Sequence, residues 1–158
     1  AAKDYWFDNS LRRNIMKPVM NLIPIGRKAS EGKDISFDDT LKLSKGFMDL
    51  DKRCIIIFPE GTRGESDVLK RFRKGPARLA LGIDKQILPA VITGSGRLWP
   101  KGKIIFKPGK INVYILPPLD PKTFIVVDRK GDTDLFKTAE EITKELEVRI
   151  KEKIKELS

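Results

Sequence analysis

Apolar residues at Leu11, Ile15, Val19 and Ile23 recur every four positions, with Arg12, Arg13 and Lys17 off the stripe. That spacing predicts an amphipathic helix over residues 5–23, bent or ended near Pro18. The short apolar run 22–26 closes at Arg27 and reads as a strand, and the polar, Gly-containing stretch 28–33 as a loop. Ser36 or Asp38 is placed to cap a second helix carrying Leu41, Phe47, Met48 and Leu50, which ends before Lys52 and Arg53. Residues 54–58, Cys-Ile-Ile-Ile-Phe, are an unbroken apolar run, the pattern of a strand covered on both faces and ended by Pro59. Cys54 opens that run and is expected in the core.

After a loop over 60–75, residues 76–83 form a short Ala- and Leu-rich helix with Pro76 in its first turn. Residues 87–93 and 111–116 read as strands, and 104–107 is placed to pair with the latter across the Pro108-Gly109 turn. An irregular connection over 117–133 leads to a long helix in which Ile142, Leu146, Ile150 and Ile154 recur every four residues, with Thr138 and Glu141 fitting a capping box. Alternating helices and strands predict an α/β fold: a mixed, mostly parallel sheet flanked by helices, in a single domain over 1–158. The Lys- and Glu-rich C-terminal helix, 134–158, reads as a packed helix with a solvated outer face.

At 158 residues the chain can bury roughly 68–70% of its unfolded surface, so a real core is expected. No apolar run approaches the roughly 18 residues that cross a bilayer as a helix. The chain contains no histidine, which removes Ser-His and Cys-His nucleophile pairs, imidazole ligands and imidazole acid-base chemistry from its own side chains. One cysteine excludes an intrachain disulfide and a thiolate metal cage, and no metal site is expected. The net charge of +10 favours an anionic partner: nucleic acid, lipid headgroups or a phosphorylated small molecule. The basic residues are spread along the chain and no zinc-finger, RRM or homeodomain pattern occurs, so nucleic acid is not the expected partner.

In open α/β sheets ligands gather beyond the carboxyl ends of strands, and Phe58-Pro59-Glu60-Gly61-Thr62-Arg63 stands at such a place. Gly61 allows a turn or a close approach, Thr62 offers a hydroxyl, and Arg63 offers a planar fork matched to phosphate oxygens. Glu60 would orient that arginine or accept a hydrogen bond from a substrate hydroxyl. A tight turn pinned by a Glu60 to Arg63 ion pair explains the same spacing.

These six residues reproduce the Phe-Pro-Glu-Gly-Thr-Arg signature of the glycerolipid acyltransferases, the group that includes 1-acylglycerol-3-phosphate O-acyltransferases. Three further blocks follow the family's order. Leu22-Ile23-Pro24-Ile25-Gly26-Arg27 resembles its second block, Phe72-Arg73-Lys74-Gly75 the Phe-Lys-x-Gly after the signature, and Ile87-Leu88-Pro89-Ala90-Val91 its fourth block. The similarity spans about residues 1–116. Gly64 stands where the family often has Ser. The first block, His-x4-Asp, is absent, although in the family it lies upstream of a segment similar to Ala2-Lys3-Asp4-Tyr5-Trp6-Phe7. The resemblance therefore implies a sequence truncated at its N-terminus, with a degenerate, non-catalytic relative as the other account.

The resemblance implies transfer of an acyl group from acyl-CoA or acyl-carrier protein, the co-substrate, to a glycerol hydroxyl of a lysophosphatidate-like acceptor; no other cofactor is implied. Arg27 and Arg63 would clamp the acceptor phosphate while Glu60, Gly61 and Thr62 shape the pocket with Pro59 and Pro89. Lys3 would donate to the tetrahedral oxyanion. The general-base His is missing, so the 158 residues alone are expected to bind without turnover. Lys70, Arg71, Arg73 and Lys74 form the densest basic patch, open to anionic lipid, to donor phosphates or to solvent. With the aromatic N-terminal helix it implies a protein held peripherally on the cytoplasmic face of an anionic membrane. An inactive phospholipid-binding domain and a basic nucleic-acid-binding domain are the alternatives.

Overall fold

The computed structural model describes residues 36–50, 53–62, 68–100, 105 and 107–157. The expected helix over 5–23, the strand over 22–26 and the loop over 28–33 lie outside the described residues, as do Lys3, Arg27 and Arg63. The chain divides into two compact units, Ala1–Ile57 and Phe58–Ser158.

In the first unit helix α1, Phe37–Met48, starts where the sequence supplies a cap. Ser36 is that cap: its Oγ accepts the Asp39 N–H at 3.1 Å, and the Asp39 carboxylate accepts the Ser36 N–H at 3.2 Å. Two orphan donors are satisfied reciprocally, with Asp in the place where Glu is commoner. Thr40 and Ser44, one turn apart, are buried. The Arg53 guanidinium lies 4.8 Å from the centre of the Phe47 ring.

The strand expected over 54–58 is not formed among the described residues. Cys54 is exposed, Ile56 is 71% exposed, and the run pairs with no other described strand. Apolar, β-branched composition states which residues gain from burial and pleating, but a strand also needs a neighbour to complete its ladder. Cys54 is accordingly a surface thiol and not a core residue.

The second unit is built on two packed helices. Helix α2, Gly75–Ile83, carries Pro76 in its first turn and buries Ala77, Leu79, Ala80 and Ile83. It packs on the long C-terminal helix (Leu135–Glu156), whose stripe is the expected one: Ile142 and Leu146 are buried, and Ile150 packs against the same core. The shared core is Phe72, Ala77, Leu119, Ala139, Ile142 and Leu146.

The long helix begins three residues before the expected cap. Asp134 caps it, its Oδ1 accepting the N–H groups of Phe136 and Lys137 at 3.1 and 3.0 Å. The Lys137 N–H is the main cause holding the Asp134 carboxyl below the usual range. Thr138 is buried inside the helix, and its Oγ1 accepts the Val126 N–H at 3.0 Å, tying the preceding connection to the helix. The threonine hydroxyl thus satisfies a distant backbone donor instead of the helix's own.

Strand β1, Ala90–Thr93, pairs antiparallel with β2, Asn112–Ile115, in the register Ala90 to Ile115 and Thr93 to Asn112. Val91 points inward and is buried, while Ile92, Val113 and Ile115 are exposed on the other face. Pairing continues beyond the regular strands, since Ile87 and Leu119 exchange both N–H···O bonds at 2.9 and 2.8 Å. Between the strands lies the short helix α3, Ser95–Leu98. The Lys107 N–H goes to the Leu98 carbonyl at 2.8 Å, so the expected hairpin partner of β2 is replaced at this residue by a bond to α3, and β2 takes β1 instead. A 3₁₀ turn, Pro121–Phe124, precedes the C-terminal helix, hereafter α4. Among the described residues no helix is long and apolar enough to cross a membrane.

Candidate functional site

The segment Phe58 to Thr62 forms a tight turn. The Gly61 N–H donates to the Phe58 carbonyl at 3.1 Å, with Pro59 supplying the fixed φ at the first central position. Gly61 has φ +70°, and a Cβ there would lie 2.6 Å from Arg73 Nε. Only glycine accepts this backbone while letting an arginine side chain lie directly across it.

The turn is bound to the basic run that follows it. The Arg73 N–H donates to the Pro59 carbonyl at 2.9 Å, the Lys70 N–H to Glu60 Oε2 at 3.0 Å, and Lys70 Nζ reaches Thr62 Oγ1 at 3.5 Å. Glu60 therefore spends one carboxylate oxygen on a backbone donor of the same segment. Among the described residues its hydrogen-bond partner is that amide, and Arg63 lies outside them. The structure brings Pro59, Glu60, Gly61, Thr62, Lys70 and Arg73 into one arrangement.

The basic run is in turn anchored to α4. Phe72 is 5% exposed, and its N–H donates to Glu147 Oε1 at 2.7 Å across 75 residues of sequence. That bond is the first cause keeping the Glu147 carboxyl below its ordinary range, ahead of Lys151 and Arg71. Lys74 Nζ pairs with Glu140 Oε2 at 2.7 Å and lies 3.9 Å from the centre of the Phe136 ring. The hydrogen bond and charge of Lys74, then those of Lys144, hold the Glu140 carboxyl low. Lys74 is thus turned toward the protein, whereas Arg71 and Arg73 remain exposed.

The basic patch is not uniform: Lys74 is paired with Glu140, and the Lys70 backbone is tied to the turn. The face of α4 toward this segment carries Glu140 and Glu147, which hold it. No signal in the sequence pointed to these two carboxylates, since their partners lie 66 and 75 residues away. Pro89 is buried just before β1, where its missing N–H costs no regular ladder bond, and its carbonyl accepts the Leu116 N–H at 2.9 Å.

The arrangement can present a short, rigid, glycine-opened turn beside exposed guanidinium groups. That is chemistry suited to positioning an oxyanion. These 158 residues contribute no imidazole to it, and Glu60 is already engaged.

Comparison with known proteins places these features. Residues 1–93 match the family model described as Acyltransferase. The 1-acyl-sn-glycerol-3-phosphate acyltransferase of Limnanthes douglasii is 39% identical over 72 residues, covering 46% of this chain and 26% of that protein. The enzyme of the same name from Borreliella burgdorferi is 27% identical over 135 residues, covering 85% of this chain and 51% of its own. Among solved structures, that of the 1-acyl-sn-glycerophosphate (LPA) acyltransferase PlsC from Thermotoga maritima is similar with a TM-score of 0.58 and 27% identity. The match covers 78% of this chain and 46% of PlsC, and it supports the α/β class. The chain spans between about a quarter and a half of the length of these relatives.

Proposed function

The chain belongs to the Acyltransferase family, and on that premise we propose that it is the acceptor-positioning part of an O-acyltransferase. The reaction moves an acyl group from acyl-CoA or acyl-carrier protein to a hydroxyl of a lysophosphatidate-like glycerol phosphate. The acceptor oxygen forms the new C–O bond, the C–S bond breaks, and the departing thiolate takes up the proton removed from the hydroxyl. The observation that carries this reading is the Phe58 to Thr62 turn, held by main-chain bonds and opened at Gly61.

Arg63 and Arg27 clamp the acceptor phosphate, a role for which the bidentate guanidinium fork is suited. Glu60 fixes the turn through Lys70, which fits a positioning role and leaves it poorly placed to serve as the base. Gly61 and Thr62 shape the pocket, and Lys3 donates to the oxyanion of the tetrahedral intermediate. A hydroxyl of high pKa needs a base, and these 158 residues contain no histidine. The base therefore comes from outside them, and the chain alone binds without turnover. The excess of Lys and Arg supports residence on the cytoplasmic face of an anionic phospholipid membrane. The same lack of histidine favours a second reading, a phospholipid-binding domain that never turns over.

One assay separates them. Thiol release from acyl-CoA in the presence of lysophosphatidate is measured for the 158 residues and for the chain joined to its native upstream coding sequence. The expected result is no turnover from the first and turnover from the second, with a His-x4-Asp block in the added segment. Arg63→Ala should then raise the acceptor KM at least roughly tenfold, the effect of losing one charge-assisted contact. A native start at Ala1, or an unchanged KM, overturns the enzymatic reading.

A further inference from the structure

At the end of the β1–β2 pair lies a cavity of about 330 Å³ lined by Thr93, Gly94, Arg97, Leu98, Lys110 and Asn112. No residue of the Phe58 to Thr62 turn or of the basic run lines it. Its walls are fixed by the backbone. Thr93 and Asn112 are register partners, the Leu98 N–H returns to the Gly94 carbonyl at 3.2 Å, and the Lys107 N–H closes the loop onto Leu98 at 2.8 Å. Gly94 has φ +87°, and a Cβ there would run into the Lys110 carbonyl, so the start of α3 and the approach to β2 are in direct contact. The volume is at the small end of ligand sites, suited to one polar group and too small for most of a large ligand.

The stretch of sequence that supplies this cavity is one-sided in charge. Between Asp84 and Asp120 the sequence contains Lys85, Arg97, Lys101, Lys103, Lys107 and Lys110 and not one Asp or Glu. Six of the chain's ten net positive charges therefore come from this stretch. Elsewhere in this unit lysines and arginines find carboxylates, as Lys74, Lys122, Lys144 and Arg149 do. Arg97 and Lys110 are exposed and pair with no carboxylate among the described residues. The lining residues Arg97, Lys110, Thr93 and Asn112 carry a planar guanidinium, an ammonium, a hydroxyl and an amide, which together make a donor set for a tetrahedral oxyanion.

We propose that this cavity is a second anion site, which takes a phosphate or pyrophosphate group through Arg97 and Lys110, with Thr93 and Asn112 as neutral partners. It is separate from the turn assigned to the acceptor. Such a group could reach it on a nucleotide or on a lipid headgroup, and the two share the chemistry the cavity offers. The site concerns binding alone. Failure of turnover leaves it standing, and failure of anion binding leaves the acyl-transfer reading standing.

The test titrates the full chain with pyrophosphate and with adenosine 3′,5′-bisphosphate by calorimetry, and pellets it with phosphatidylglycerol vesicles. Saturable pyrophosphate binding is expected, weakening as salt rises. Arg97→Gln and Lys110→Gln should each weaken it about tenfold, as loss of one exposed charge-assisted contact does. Lys85→Gln and Lys130→Gln remove the same charge outside the cavity and should change it less than twofold. All four side chains are exposed, and unchanged thermal unfolding verifies that each variant is folded. If the two cavity variants also lose the bisphosphate, the source is a nucleotide; if they lose the vesicles, it is a headgroup. No saturable binding overturns the site. So does equal weakening by the control variants, which would reveal only a diffuse positive field, and so does retention of both natural probes by the cavity variants.

Discussion

Replacing Glu147 tests the bond that joins the signature segment to α4, at the added loss of only an exposed i,i+4 pair with Lys151. Its Oε1 accepts the Phe72 N–H at 2.7 Å, its side chain is only 20% exposed, and Phe72 itself lies in the core. Glu147→Ala removes the acceptor and leaves a backbone donor short of water. A hydrogen bond to a charged group contributes about 1.5–3 kcal/mol, so the variant should lose about that much. In a domain of this size that is a fall in Tm of roughly 3–12 °C. Glu147→Gln keeps a neutral acceptor and should lose about half as much. The pH dependence gives a separate readout. The folded-state pKa of Glu147 is depressed, so its contribution is fully present above the unfolded carboxylate pKa and is lost as pH falls through the folded value. Wild-type stability should therefore decline below about pH 4.5, and Glu147→Ala should show a shallower decline over that range. Urea unfolding across pH 3 to 7 measures both. A loss under about 0.5 kcal/mol at pH 7, or acid limbs of equal slope, would refute the anchoring role.

Two other expectations are tested by stability. Gly61→Ala strains a residue at φ +70°, while the exposed Arg73 side chain can swing aside, so it should cost about 1–2 kcal/mol in urea unfolding with or without Arg73→Ala; a cost under about 0.3 kcal/mol would refute the left-handed turn. Thr138→Val, nearly isosteric, should cost about 1–2 kcal/mol by orphaning the Val126 N–H, whereas Glu141→Gln should leave thermal unfolding unchanged; the reverse outcome would restore the capping box at Thr138.

What could be read along the chain was local. Helix α1 was legible because Ser36 and Asp38 both offer cap chemistry ahead of its apolar positions; the structure chose Ser36 and added the reciprocal bond to Asp39. Helix α4 was legible because its apolar residues repeat every four positions, yet its first turn was misplaced. Thr138 and Asp134 both have cap chemistry, and the choice between them depended on whether the Val126 N–H needed the threonine. The run at 54–58 looked like a strand because its composition suits one. Its exposure depends on what lies beside it, which composition does not encode. In the candidate site, the glycine and the proline of the turn were legible. The partner of Glu60 was not, since an arginine three residues away and a backbone amide ten residues away compete for the same oxygen.

By itself, the sequence determined the α/β class, the helix periods, the absence of an imidazole base and the six-residue signature. These follow from hydrogen bonds and side-chain spacings that close within a few residues, or from residue types that are simply present or absent. Only the tertiary structure decided that Glu147 and Glu140 hold the signature segment, that Lys74 turns inward, and that Arg97 and Lys110 share a cavity. The physical reason is that a charged group takes whichever partner the folded chain brings within about 3 Å, and over 60 to 80 residues of separation that neighbour is chosen by packing.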